Sequence, residues 1–370
     1  RRRERMIRDA SGVPANLVVL GPSLTGVISW PGIMLRWRRE LAWLFRRVIS
    51  NWRSEPITCI QALLCIPRLA EIADNLVHQD CDVVHAFWSR HVGLVHPLLK
   101  GKHSRALRTA FVGAYDLVAD DFLLELTAEA AEVLFSHAEV NRQYLEAKAA
   151  AGASIAIIHR GIPLLELPPV DSRDPFRLIT ASALVQSKNV EAVIRAFAAA
   201  HVRENRLRLD VYGDGPERPR LEKLAEDLNC SAAVSFKGHI RREELFARMN
   251  GAAVFLMLSK KASERLPNVI KEALWAGCAV ISSRSEGIEE LIPAASIGQV
   301  VDADDLQAVA AALLAFLGET PAESSARRRK AREFICANFS SDASMRRYVE
   351  AWRNKAQFGN EARRPDRTDG

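Results

Sequence analysis

Between residues 176 and 317 short apolar runs alternate with longer amphipathic ones in nearly regular order. Positions 176–181, 207–212, 233–236, 252–258 and 279–282 read as strands, with 252–258 apolar throughout and 279–281 apolar up to Ser282. Runs of that length with no polar alternation fit strands buried on both faces. Positions 189–200, 218–228, 242–249, 268–275 and 305–317 read as helices, with a shorter one at 288–292. Such an alternation predicts a doubly wound parallel sheet, whose ligands lie beyond the carboxyl ends of the strands.

The first half is an α/β alternation of looser form. Strands are expected at 16–20, 82–85, 106–112 and 154–159, and helices at 36–53, 59–78, 128–135 and 141–150. Pro163, Pro168, Pro169 and Pro175 crowd a short stretch of mixed charge, which resists both helix and sheet and reads as a linker. With 370 residues, two domains are the default. The expected division is a domain at 1–168, a second at 169–335, a helix at 336–357 and a polar, disordered tail at 358–370.

The net charge of +6 is unevenly spread: residues 1–53 hold eleven arginines against Glu4, Asp9 and Glu40. A local basic region argues for a local anionic partner and against a nucleic-acid-binding coat. Trp37, Trp43, Leu44, Phe45 and Trp52 interleave with arginines in the 36–53 helix. That pattern fits an interfacial helix on an anionic membrane surface, and equally an ordinary helix packed on a sheet. Six cysteines form neither a CxxC pair nor a metal-ligand spacing, which fits a reducing cytosol and no metal centre. No apolar run is long enough to span a bilayer and no signal peptide follows the opening Arg-Arg-Arg-Glu-Arg. The first methionine is Met6, so a missing upstream segment is expected.

Chemistry concentrates in Ser263-Glu-Arg-Leu-Pro-Asn-Val-Ile-Lys-Glu-Ala-Leu-Trp-Ala-Gly277. Glu264 and Glu272 stand eight residues apart, with a helix start between them. Pro267 suits the first helical position and Gly277 a C-terminal cap. A helix start offers unpaired N–H groups and partial positive charge to a phosphate, and adjacent carboxylates accept hydrogen bonds from sugar hydroxyls. Asp302-Ala-Asp304-Asp305 matches a metal motif in letters but reads as helix capping.

Several motifs in fixed order resemble the retaining glycosyltransferases of the GT-B fold, family four. They are Leu184-Val-Gln-Ser-Lys188, Val211-Tyr-Gly-Asp-Gly-Pro216, Val234-Ser-Phe-Lys-Gly238, the Glu264–Glu272 stretch and Gly287-Ile-Glu-Glu-Leu-Ile292, all within about 176–320. The resemblance implies two facing Rossmann-like domains, an acceptor domain then a donor domain, with a C-terminal helix crossing back to the first. It implies a UDP- or GDP-linked sugar as donor, a glycan or lipid-linked acceptor, and no cofactor or metal. By the same resemblance Lys188 meets the diphosphate, Glu272 the ribose and Glu264 the transferred sugar. The backbone of Leu266, Pro267, Asn268 and Val269 meets the phosphates, Gly213 and Gly238 sit beside the nucleotide, and His85 faces the acceptor. The family's Gly-Arg before the lysine is Ser182-Ala183 here, and Arg265 replaces the usual glycine after the first carboxylate. Val112-Gly113 replaces a His-Gly pair, and Phe87 replaces a second histidine. The expected function is a cytoplasmic, membrane-peripheral transferase of polysaccharide or glycolipid assembly. The alternative is a non-catalytic nucleotide-sugar-binding partner of another transferase.

Overall fold

A computed structural model describes residues 31–361, apart from positions 80, 103, 168–172 and 262–263. The strand expected at 16–20, the opening arginines and the end of the tail lie outside the described residues. The chain divides into two compact units. The first runs to Phe111 and includes Ala119–Leu134 and Lys148–Ser154; the second holds Val112–Val118, Phe135–Ala147 and everything from Ile155 onward.

The first half supplies helices α1 (Arg38–Ser50) and α2 (Pro56–His78), strand β1 (Val83–Phe87), α3 (Val95–Gly101), β2 (Leu107–Phe111), α4 (Ala114–Ala119), α5 (Phe122–Ala130), β3 (Val133–Ser136), α6 (Arg142–Lys148) and β4 (Ser154–Ile157). The strands form a sheet in the order β1-β2-β3-β4, with β1 and β2 parallel and His85 opposite Thr109. Trp37, Leu44, Ala62, Leu69, Leu98 and Leu123 belong to the core of the first unit.

The helix expected at 128–135 is not there: α5 ends at Ala130 and β3 occupies Val133–Ser136. Val133-Leu-Phe-Ser136 is buried at every position, and so short an apolar run carries no period that separates strand from helix. The true helix start is Asp121, whose carboxylate accepts the Leu124 N–H (3.3 Å) as an N-cap. Helix α2 also departs from expectation, being long and apolar enough by composition to cross a membrane. One third of that span is buried, with Cys59, Ile66 and Leu69 in the core of the unit, so it serves as a packed helix there.

The second unit carries β5 (Asp174–Ala181), α7 (Val190–His201), β6 (Arg208–Tyr212), α8 (Arg218–Asp227), β7 (Val234–Gly238), α9 (Arg242–Asn250), β8 (Ala252–Met257), α10 (Asn268–Ala276), β9 (Ala279–Ser283), β10 (Gly298–Val301) and α11 (Leu306–Leu317). The strand order is β10-β9-β8-β5-β6-β7, parallel at each neighbouring pair. Successive side chains of each strand point to opposite faces, as a strand requires. Leu178, Val254, Leu256 and Ile281 join the core under α7 and α11, while Ile179, Phe255, Met257 and Val280 join the core under α9 and α10. Both faces are therefore covered, which is why β8, and β9 over Ala279–Ile281, read as unbroken apolar runs. Helix α10 ends as expected at Gly277 in the left-handed region (φ 93°), where the Gly277 and Cys278 amides both return to the Ala273 carbonyl (2.9 Å each).

The expected helix at 336–357 is the end of α12 (Pro321–Phe339) followed by α13 (Ser341–Glu361), so helix extends past the expected tail boundary at 358. The chain breaks step at Ser340, where the Ile162 amide donates to the Phe339 carbonyl (2.8 Å) and the Ser341 amide to the Ile162 carbonyl (2.9 Å). Tyr348 and Trp352 of α13 then lay their rings against Phe135 of β3, at 4.7 and 6.3 Å between centroids.

Candidate functional site

Parallel pairing puts the carboxyl ends of β5 to β9 on one edge of the sheet. The chain leaves β5 toward β6 and β7, then returns to β8 on the other side of β5. The connections after β5 and β8 consequently diverge, and a crevice opens between them. Lys188 sits in the tight turn Gln186–Lys188 after β5, and Glu264 lies between β8 and α10. Across the crevice the Lys188 ammonium is ion-paired with Glu264 Oε1. The backbone fixes the two connections together: the Lys260 amide (2.9 Å) and the Ser259 hydroxyl (3.2 Å) both donate to the Ser187 carbonyl. The other carboxylate oxygen, Glu264 Oε2, is buried with no donor among the described residues. A buried acceptor in that state is what a ligand hydroxyl satisfies.

Pro267 is the N-cap of α10, in extended conformation, and not its first helical residue; that place falls to Asn268. The cap has no side-chain oxygen, so no side chain of the cap competes for the first N–H groups of the helix. Leu266 is buried, while Asn268 and Val269 are half-buried beside it. Glu272, one turn further on, accepts a 2.7 Å hydrogen bond from Arg242 Nε of α9. At the ends of β6 and β7 the Gly213 amide donates to the Gly238 carbonyl (2.8 Å). Gly213 adopts φ 115°, and a β-carbon there would stand 1.9 Å from the Ser182 carbonyl oxygen, so only glycine fits.

His85 lies in β1 of the first unit, with Nδ1 against Thr109 Oγ1 (2.8 Å). Burial pushes its imidazole down to about 4, so it is neutral near pH 7. Two residues on, Phe87 stacks on Phe111 (4.9 Å), and the partly exposed Trp88 beside it holds φ at 70°. Asp305 does cap a helix, accepting the Ala308 N–H of α11 (2.9 Å).

Two further features escaped the sequence reading. Lys271, on the first turn of α10, is fully buried and donates to the Arg160 carbonyl (2.8 Å) and to Asn268 Oδ1 (3.2 Å). Burial, helped by the Arg160 charge, pushes its ammonium down to about 7. Arg265 is only 4% exposed and pairs through Nη2 with Glu286 (2.6 Å), a residue of the connection after β9. A cavity of about 370 Å³ opens there, lined by Tyr144, Ser259, Lys261, Arg265, Arg284 and Glu286 among others. The signal was in the sequence only as the unusual Arg265; its partner lies on another strand's connection.

Residues 169–334 match the model of the family described as glycosyl transferases group 1. That segment is similar to the group 1 glycosyl transferases. WcaL of Salmonella typhimurium, named as a colanic acid biosynthesis glycosyltransferase, is 29% identical over 175 residues, which cover 46% of this chain and 43% of WcaL. The lipopolysaccharide core biosynthesis glycosyltransferase LpsE of Rhizobium meliloti is 31% identical over 181 residues, 48% of this chain and 50% of LpsE. The chain thus spans about two-fifths to one half of these relatives. Among solved structures, Anabaena HepE in complex with UDP matches with a TM-score of 0.66 at 15% identity, covering 78% of this chain and 82% of that one. Sucrose-phosphate synthase from Thermosynechococcus elongatus matches at 0.64 and 18% identity, covering 80% and 79%. These likenesses establish the fold, an α/β chain of the GT-B class with two Rossmann-like domains, and the segment that matches the group 1 model is the one that carries Lys188, Glu264 and Glu272.

Proposed function

We propose that this chain is a retaining glycosyltransferase that moves a sugar from a UDP- or GDP-linked donor to a glycan or lipid-linked acceptor in polysaccharide or glycolipid biosynthesis. The observation that carries the reading is the Lys188–Glu264 pair at the crevice between β5 and β8, beside the start of α10. Lys188 and the first α10 amides meet the diphosphate, and supply without a metal the positive charge that a departing phosphate requires. Glu264 holds the sugar through its undonated oxygen, and Glu272 holds the ribose. The bond from the sugar's anomeric carbon to the diphosphate breaks as the bond to the acceptor oxygen forms on the same face. The acceptor's proton passes to the departing phosphate. His85, neutral, serves as a hydrogen-bonding group toward the acceptor. The apolar side chains exposed on α1 and α2, such as Trp43, Phe45, Ile57 and Leu64, with the arginines of α1, suit an anionic membrane surface on the cytoplasmic side.

The alternative is a nucleotide-sugar-binding partner without turnover. It is favoured by the ammonium of Lys188 already being neutralised by Glu264, and by Ala183 in place of a second phosphate-binding cation. Calorimetry with UDP and GDP, together with donor hydrolysis, tests both. Binding with hydrolysis or transfer supports the enzyme, binding alone supports the partner, and no binding of either nucleotide removes both.

A further inference from the structure

We propose that the Arg265 cavity is a subsite for a negatively charged sugar, holding the carboxylate or phosphate carried by either the transferred or the accepting residue. The proposal rests on the nucleotide-sugar reading above and names its substrate class.

Arg265 is buried, yet its Nε and Nη1 have no acceptor among the described residues. A guanidinium stays charged at any physiological pH, and each of its buried N–H groups left without an acceptor is costly. An anion entering the cavity gives those donors the partner they lack. The walls add Lys260, Lys261 and Arg284, and Glu286 is the one carboxylate among the lining residues. Lys260 and Arg284 are partly engaged outside the cavity, with Asp304 and Glu289. A volume of about 370 Å³ is ample for one sugar residue. Tyr144, half-exposed and 5.8 Å from the Arg265 guanidinium, offers a ring face to it.

The position explains why the ligand is a charged sugar and not the diphosphate. Lys188 meets Glu264 on the β5 side of β8, whereas Arg265 meets Glu286 on the β9 side. Glu264 is paired with Lys188 and is the chain neighbour of Arg265. A sugar hydrogen-bonded to Glu264 therefore has the diphosphate toward Lys188 and its own charged substituent toward Arg265. Arginine's planar fork suits a carboxylate or phosphate better than a neutral hydroxymethyl group.

Calorimetry on the full chain decides it. The donor arm compares UDP-glucuronate with UDP-glucose; the acceptor arm compares D-glucuronate and glucose 6-phosphate with D-glucose in the presence of UDP. If GDP is the nucleotide bound, GDP-mannuronate and GDP-mannose take the donor arm and GDP replaces UDP in the acceptor arm. A preference of about tenfold or more for the charged form is expected in one arm, which identifies the partner that bears the charge. Arg265→Ala removes that preference. Glu286→Gln, a change at an exposed side chain, enlarges it by removing the competing carboxylate, and carries the test if Arg265→Ala fails to fold. Equal affinity for charged and neutral forms in both arms overturns the proposal. So does an Arg265→Ala variant that loses UDP and charged sugar to the same degree, because Arg265 would then hold the diphosphate. Failure of both nucleotides to bind overturns the underlying reading and this one with it.

Discussion

Lys188 and Glu264, 76 residues apart in sequence, neutralise one another across the gap between β5 and β8. An incoming diphosphate must compete with a carboxylate for that ammonium. Lys188→Ala is expected to weaken UDP or GDP binding by about 10- to 100-fold, the range of a lost charge-assisted hydrogen bond. Glu264→Gln is expected to leave nucleotide affinity equal or higher while abolishing transfer. Titration calorimetry and a transfer assay check both, and an unchanged affinity in Lys188→Ala removes the phosphate role.

A change at Glu272 should separate nucleoside binding from phosphate binding. Its carboxylate is held by Arg242 and lies one turn into α10, away from the helix start. Glu272→Ala should cost about tenfold in UDP affinity, one hydrogen bond to a charged group, and leave pyrophosphate binding unaltered. An equal loss for both ligands would place Glu272 in the fold and not in the site. Arg242→Ala should shift stability by about 1 kcal/mol, because the arginine is partly exposed to solvent.

Acid should weaken the fold through its buried histidines. His96, whose Nε2 lies 2.9 Å from the Thr109 carbonyl, and His137 are both pushed down to about 4 by burial. Unfolded, each takes a proton near 6.5; folded, each waits until about 4. Between those values the unfolded chain binds more protons, so stability falls as pH drops from 6.5 toward 4 and is fully kept above 6.5. Each histidine contributes on the order of 3 kcal/mol at most. Urea unfolding at several pH values measures the slope, and His96→Gln should flatten part of it. A profile level down to pH 4.5 contradicts the prediction.

Gly213→Ala tests the close approach at the β6 end. The added methyl meets the Ser182 carbonyl and the backbone sits at φ 115°. A loss of about 2 kcal/mol or more is expected, seen as a lowered midpoint in thermal unfolding. A midpoint within one degree or so of the parent would show that this turn relaxes freely.

The exposed apolar side chains of α1 and α2 make a prediction of their own. Sedimentation with anionic vesicles at low salt should bring the chain down, and high salt should release it. Leu64, 77% exposed, and Trp43 are the side chains to change: Leu64→Ser with Trp43→Ser should abolish co-sedimentation with little effect on nucleotide binding. No binding in the parent chain ends the membrane reading.

Much of the segment that matches the group 1 model was legible because its strands announce themselves. Ala252–Met257 and Ala279–Ser283 are buried on both faces, so composition alone marks them. Glu264, Glu272 and Gly277 were legible because a helix start and stop frame them. Val133–Ser136 was not, since four buried residues fit either period. Nor were the partnerships: Lys271 finds the Arg160 carbonyl 111 residues away, and Arg265 finds Glu286 on a different connection. Burial of a charged side chain is a property of its neighbours in space, and Lys271 on its own reads as one more solvated helix lysine.

Lys188, Glu264, Arg265 and Glu286 all hang from connections beyond the strand ends, while Val254, Phe255, Val280 and Ile281 hold the sheet from within. A substitution in these connections therefore leaves the packed strands in place. Arg265 in place of the family's usual glycine, and Ser182-Ala183 in place of Gly-Arg, both fall in such connections and leave the timbers alone. A scaffold of this kind can diverge toward new substrates one loop at a time.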